Sequence, residues 1–238
     1  MCGVAGCFDP RGAPLDERAL AALRALGAAL AHRGPDEGGL REFGRCAFAH
    51  RRLAVQDLTP AAAQPMVHAS GAALCYNGEL YNVPALRPEL EARGETFRGH
   101  GDAEVLLAGC AAWGAARAAR RADGICAFAL FDPRDGSLTL GRDPAGVKPL
   151  YYGRDDAGRI WFASELGPLV DAAPLPRRID RAALGAYAAL GFVPGPRTIY
   201  EAVRALEPGT LRRFGGDGAE TTTRLAPPPA PDVPPYDE

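Results

Sequence analysis

The sequence is short of the features that mark several large classes of protein. Its 238 residues carry a formal charge of only −2 at neutral pH. It therefore lacks the basic excess that would neutralise a nucleic-acid backbone or an anionic bilayer surface, and neither is expected as a partner. No apolar run approaches the ~20 residues a membrane span requires, and the amino terminus lacks the charged-then-apolar layout of a secretory signal; a cytoplasmic protein is expected. The six cysteines, Cys2, Cys7, Cys46, Cys75, Cys110 and Cys126, form no CxxC pair, and there are only four histidines to help complete a metal site. Internal repeats are absent. In a reducing compartment all the cysteines but one are expected to be buried free thiols acting as small hydrophobes.

The exception is Cys2, which stands directly behind the initiator methionine in MCGVAGCFDP. Removal of Met1 would put a thiol and a free α-amine on one residue. Further along, LDERALAALRALGAALAHRG repeats Leu20, Leu23, Leu26 and Leu30 at helical spacing, with Asp16 and Glu17 at its start. GDAEVLLAGCAAWG predicts a second helix capped by Asp102. A third, NVPALRPELEARG, carries Pro88 deep enough to predict a kink or an early break. The segments RCAFAHRRLAV, GAALCYNGEL, ICAFALFDP, SLTLGRD, LYYG and RIWFASE read as buried strands bounded by turn residues. Strands outnumber helices and do not alternate with them strictly, which predicts an α+β fold with helices layered on antiparallel sheets. A folded domain is expected over residues 1–215, and the stretch 216–238, ending APPPAPDVPPYDE, is expected to be an extended tail or linker that packs no core.

The chemistry of Cys2 can be followed from its parts. An α-amine titrates near ~7.7 to 8.0 and a thiol near ~8.5, so at neutral pH the amine is a well-matched proton acceptor for its own side chain. Such a nucleophile suits acyl transfer and needs no histidine beside it. The negative charge that develops on an attacked carbonyl oxygen demands preset donors. In YNGELYN the Asn77-Gly78 pair reads either as a turn or as two donors, the Asn77 amide and the Gly78 N–H, with Glu79 adding a carboxylate. HRRLAVQDL offers Arg51 and Arg52 at a strand end, where a guanidinium could grip a carboxylate in fork geometry. Glu79 and Asp102, if they face one cavity, could hold an ammonium. A thiol, two donors, an arginine and two acids describe a pocket for an amino acid with a carbonyl in its side chain, and glutamine fits.

Seven stretches, MCGVAGCFDP, HRGPDEGG, HRRLAVQDLTPAAAQPM, YNGELYNVPALRPELEARG, GDAEVLLAGCAAWG, FALFDPRDGSLTLGRDPAGVKPLYYG and FASEL, resemble in residues and in order the glutaminase domain of asparagine synthetases, a class II glutamine amidotransferase. The resemblance implies the amino-terminal nucleophile (Ntn) hydrolase fold, a four-layer αββα sandwich. It implies L-glutamine as substrate and Cys2 as the nucleophile, with Asn77 and Gly78 as the oxyanion hole. Arg52 resembles the ligand of the α-carboxylate, Leu53 and Val55 its backbone neighbours, and Glu79 and Asp102 the anchors of the α-amine. HRGPDEGG and RDPAGVKPLYYG read as scaffold. The sequence departs from the family pattern at Gly101, where serine is usual, and at Pro88. It also shows no SGGxDS-type ATP loop, so no cofactor is expected in this chain, and ATP and Mg are expected only in a separate or removed synthetase domain that receives ammonia. The alternatives are a catalytically silent module that senses glutamine or binds a partner, and a different amide hydrolase on the same fold.

Overall fold

A computed structural model of the chain describes residues 1–225. The helices are α1 (Glu17–Ala29), α2 (Val83–Glu91), α3 (Asp102–Trp113), α4 (Ala115–Arg121), α5 (Leu166–Ala172) and α6 (Arg181–Leu190). The strands are β1 (Gly3–Phe8), β2 (Glu37–Glu42), β3 (Cys46–Arg52), β4 (Met66–Val67), β5 (Ala73–Leu80), β6 (Gly124–Asp132), β7 (Ser137–Arg142), β8 (Tyr151–Arg154), β9 (Ile160–Ala163), β10 (Val203–Ala205), β11 (Thr210–Phe214) and β12 (Glu220–Arg224). They form two six-stranded sheets, ordered β10-β8-β9-β1-β3-β2 and β12-β11-β7-β6-β5-β4. Every strand pairing is antiparallel.

Both sheets are covered on both faces, which is why their central strands read as nearly continuous apolar runs. Between the sheets, Val4, Phe8 and Phe48 of the first meet Cys75, Ala129, Phe131 and Leu140 of the second. Ala5, Cys7 and Trp161, on the outer face of the first sheet, pack on Leu23 and Leu26 of α1 and Leu169 of α5. On the outer face of the second, Leu74, Tyr76 and Phe128 pack on Leu106, Leu107 and Cys110 of α3. The expected αββα order of layers is present. The five cysteines expected to be buried are buried and free.

Several local expectations change in detail. Helix α1 begins behind Asp16, whose Oδ1 accepts from the Ala19 N–H at 2.7 Å. Helix α3 is capped by Gly101, and Asp102 is its first residue. Buried nearly all round, α3 lies between the second sheet and α2. The break predicted at Pro88 does not occur there: α2 runs on to Glu91, because Leu86 and Leu90 are anchored against Val105 and Ala108 of α3 and that packing overrides the lost backbone bond. The folded unit also passes the expected boundary at 215, since β12 pairs with β11 from Phe214↔Glu220 to Thr210↔Arg224 and Leu225 is buried. The remainder of the expected tail, 226–238, lies outside the described residues. Among the described residues no helix is long and apolar enough to cross a membrane.

Candidate active site

The register of β1 on β3, Gly3↔Arg51, sets Cys2 at the end of one strand beside the exit of the other. The half-buried thiol donates to the carbonyl of Leu53 at 3.8 Å. The backbone around it is fixed from the opposite side. Arg33 Nε donates to the Cys2 carbonyl at 3.0 Å, and its Nη1 is held by Glu165 Oε1 at 2.8 Å. His32 Nε2 lies 3.0 Å from the same carboxylate. Next along, Ser164 accepts from the Val4 N–H through its hydroxyl and donates its own N–H to the Val4 carbonyl, both at 2.9 Å. The nucleophile candidate therefore sits on a rigid strand start.

Across the cavity runs β5. Its alternation sends Cys75 between the sheets and Tyr76 toward α3, so Asn77 follows Cys75 inward. Asn77 is 2 % exposed, and its Nδ2 has no hydrogen-bond partner. Gly78 pairs with Cys126 of β6, but the N–H and carbonyl of Cys126 are engaged with Asp143 on the other side. Gly78↔Cys126 is therefore a non-hydrogen-bonded pair of the ladder, and the Gly78 N–H points to the open edge of β5. Its neighbours on that edge are claimed by side chains: the Tyr76 N–H donates to Gln64 Oε1 at 2.7 Å and the Leu80 N–H to Asp102 Oδ2 at 2.9 Å. Glycine is required here because a Cβ would lie 2.5 Å from that of Cys126.

Cys2, Arg52, Leu53, Val55, Asn77, Gly78, Glu79 and Asp102 all line one cavity of about 250 Å³, together with Met1, Gln56, Asp57, Gln64, Tyr76, Gly101 and Lys148 among others. Every residue singled out from the sequence for the site is thus brought to one place, apart from Arg51, which turns away to donate to the Gly27 carbonyl of α1 at 2.9 Å. Arg52 is buried and already partnered, by Glu37 Oε2 at 2.7 Å and by the carbonyls of Asp57 and Thr59. Asp102 is likewise braced: Tyr76 Oη donates to its Oδ2 at 2.8 Å and the Ala103 N–H to its Oδ1 at 2.8 Å. Glu79 accepts from the Gln56 amide. At Gly101 a Cβ would meet only Ala62 and Asp57, at 3.7 and 3.8 Å, so nothing in the packing forbids a larger residue there.

The electrostatics follow from burial. Burial pushes the Cys2 thiol above its ordinary value; the bond to Leu53, the N-terminal charge and Arg52 oppose that, and Asp102 adds to it. Burial, reinforced by Asp102, also raises Glu79, against the pull of Gln56 and Lys148. Burial thus favours the protonated form of the thiol at rest. Sequence reasoning missed Arg33, Glu165 and Ser164 as supports of the nucleophile. The signal was there, since HRGPDEGG and FASEL contain them, but nothing local tied either stretch to Cys2.

Residues 1–224 match the family profile described as a glutamine amidotransferase domain. Among curated proteins, asparagine synthetase [glutamine-hydrolyzing] 1 of Bacillus subtilis (strain 168) is 36 % identical over 221 residues, which is 92 % of this chain and 34 % of that protein. Asparagine synthetase B [glutamine-hydrolyzing] of Escherichia coli (strain K12) is 36 % identical over 188 residues, 79 % of this chain and 32 % of that one. The chain thus spans about a third of the length of these relatives. Of solved structures, a glutamine phosphoribosylpyrophosphate amidotransferase from B. subtilis aligns over 94 % of this chain and 49 % of its own, with a TM-score of 0.64 at 21 % identity. A second, the allosteric regulatory enzyme of purine biosynthesis, aligns over the same shares with a TM-score of 0.61 at 22 % identity. These two likenesses show the fold, the αββα sandwich expected from the sequence.

Proposed function

The chain belongs to the glutamine amidotransferase domain family, and from that premise we propose that it hydrolyses L-glutamine to glutamate and ammonia through a thioester on Cys2. The observation that carries this reading is a buried, unpartnered amide donor, Asn77 Nδ2, in the same cavity as a thiol. An orphaned buried donor costs stability, and an oxyanion that forms only during reaction is the partner that accounts for it.

In this mechanism removal of Met1 frees the Cys2 α-amine. The amine takes the thiol proton, and the sulfur attacks the side-chain carbonyl carbon of glutamine. The oxyanion is received by Asn77 Nδ2 and the Gly78 N–H. Collapse of the intermediate expels ammonia, which carries off the proton held by the amine, and leaves a γ-glutamyl thioester. Water, deprotonated by the same amine, cleaves that thioester through a second oxyanion and restores the thiol. Arg52 receives the α-carboxylate with the donors its protein partners leave free, beside the backbone at Leu53 and Val55. Glu79 and Asp102 receive the α-ammonium. No cofactor of this chain enters the scheme. The ammonia passes to an amide-forming partner, a role supported by the names of relatives about three times as long, which are glutamine-hydrolyzing asparagine synthetases; ATP and Mg would belong to that partner. A reducing cytoplasmic setting accords with the free thiols.

A second reading applies to a chain that keeps Met1, a residue that lines the cavity. While it remains, the nitrogen of Cys2 is an amide with no basic lone pair, and the site could only bind glutamine. The deciding experiment is ammonia release from L-glutamine by protein whose Met1 has been removed, verified by mass spectrometry, with Cys2→Ala as control. Ammonia release that survives Cys2→Ala, or none from the processed protein alone and with a synthetase partner, overturns the proposal.

A further inference from the structure

Lysine occurs once in this sequence, at Lys148, in a chain whose other 26 strong cations, of the 27 lysines and arginines together, are arginine. That one lysine lines the cavity of Cys2, Glu79 and Asp102. The loop that carries it, between β7 and β8, is clamped from below. Arg142 Nε donates to the carbonyl of Lys148 itself at 2.9 Å, while its Nη1 and Nη2 hold the carbonyls of Leu206 and Gly146, each at 2.6 Å. Asp143 accepts from the Cys126 N–H at 3.0 Å and the Val147 N–H at 3.3 Å. The stretch read from sequence as mere scaffold therefore has an output, which is a fixed backbone under a half-buried lysine. Among the described residues no carboxylate lies within ion-pair distance of that ammonium.

Glu79 is surrounded unevenly. From α3 it faces the Asp102 carboxylate; from the segment after β3, the neutral Gln56 amide; on its own strand, the Tyr76 hydroxyl; and from the far side of the cavity, the Cys2 thiol and the Arg52 guanidinium. Arg52 is committed to Glu37 and to two carbonyls. Two acids close together resist being charged at once, and without a nearby cation one of them takes up a proton as the pH falls. Apart from the N-terminal α-amine beside the Cys2 thiol, Lys148 is the remaining cation at the cavity wall, and its charge opposes the upward push that burial and Asp102 exert on Glu79.

We propose that Lys148 is a positioning residue of this pocket, the counter-cation that keeps Glu79 charged beside Asp102 so that the two acids can receive a substrate α-ammonium. The inference rests on the amino-acid pocket described above and adds to it a residue that acts through Glu79. Its consequence is a specific pH dependence: weaker substrate binding on the acid side when the cation is gone, and unchanged binding where Glu79 is ionised in any case.

The test is calorimetric titration of L-glutamine into the full chain with Met1 removed and Cys2→Ala in place, from pH 5 to pH 8, so that affinity is read without turnover. In a Lys148→Gln variant the dissociation constant is expected to match the parent at pH 8 and to rise roughly tenfold more than the parent's toward pH 5, as the acid limb moves upward. Lys148→Arg is expected to restore the parent's acid limb, and Glu79→Gln to make the Lys148 substitution silent. An acid limb unchanged in Lys148→Gln overturns the inference, as does an equal loss of affinity at every pH or a shift that arginine does not rescue. Absence of binding by the parent at every pH overturns the proposed function together with this inference, whereas a parent that binds beside an indifferent Lys148→Gln overturns the inference alone.

Discussion

Asn77 provides the most discriminating perturbation, because its two expected effects run in opposite directions. Its side chain is 2 % exposed, faces the cavity from β5, and carries a donor with no partner. In Asn77→Ala the oxyanion loses one of two donors, which costs about 10² to 10³ in kcat, or roughly 3 to 4 kcal/mol of transition-state stabilisation. On the stability side, the substitution removes an unsatisfied buried donor worth about 1 to 3 kcal/mol. Against this stands lost dispersion from an amide group with open cavity on one side, on the order of 1 kcal/mol. The expected variant is as stable as the parent or more stable by up to about 2 kcal/mol, yet nearly inactive. Urea unfolding followed by circular dichroism gives the first quantity, and initial rates of ammonia release from L-glutamine give the second. An unchanged kcat refutes the oxyanion assignment. A destabilisation large enough to explain the lost activity refutes the argument that the amide is held in place for catalysis.

Other perturbations test the supports of the site. Arg33→Met releases the Cys2 carbonyl; because it loosens the nucleophile and touches no substrate, kcat is expected to fall at least about tenfold with little change in KM, and an unchanged kcat counts against a positioning role. Tyr76→Phe takes one buried donor from Asp102 Oδ2 and should cost about 1.5 to 3 kcal/mol in urea unfolding, the range for a bond to a charged acceptor. Burial lowers the His50 imidazole from 6.5 to about 4, and its Nε2 lies 3.1 Å from the Tyr76 carbonyl. Between those values the unfolded chain binds the extra proton, so stability is complete above pH 6.5 and falls as pH drops toward 4, by up to about 3 kcal/mol. His50→Gln should flatten that slope, and an equally steep slope in the variant shows that other groups cause it. Leu23→Ala, at a fully buried position of α1 against the first sheet, should cost about 2 to 5 kcal/mol.

The parts of the fold legible in the sequence are those whose burial is written locally. In β6, GICAFALFD is buried over most of its length, and a run of that kind announces itself. By contrast β2, with the sequence EGGLRE, is an edge strand whose ends face solvent. Strand β12, ETTTR, is polar and almost wholly exposed. Both exist because a neighbour offers a hydrogen-bonding edge, and that edge is set by residues elsewhere in the chain. Helix α6 has a different difficulty: only Ala183 is buried, and Leu184, Tyr187 and Leu190 are exposed, so its apolar periodicity does not mark a face buried within this chain. Pro88 fails as a helix breaker for a reason sequence cannot supply, namely the grip of α3 on Leu86 and Leu90.

At the site, what was legible followed from chemistry carried within a few residues: a cysteine with its own amine, an arginine at a strand end, an acid at a helix start. What was hidden acts across distance, with Arg33 thirty-one residues from the carbonyl it holds. Asn77-Gly78 lies between these cases and shows how one residue pair can carry two meanings. In isolation Asn-Gly is a hairpin turn, since both residues tolerate positive φ. Here no turn is made, because β5 continues in register with β6 through Glu79↔Ile125 to Leu80↔Gly124. The glycine is needed for closeness to Cys126, and the asparagine stands where an apolar residue would continue the pattern of Ala73 and Cys75. A strand that spends a core position on an unpaired amide and the next on a bare backbone N–H is destabilised locally. Under the proposed function that cost is offset in the reaction, where both donors meet a charge absent from the resting protein. The same logic explains why Asn77 and Gly78 line the cavity that Cys2 also lines.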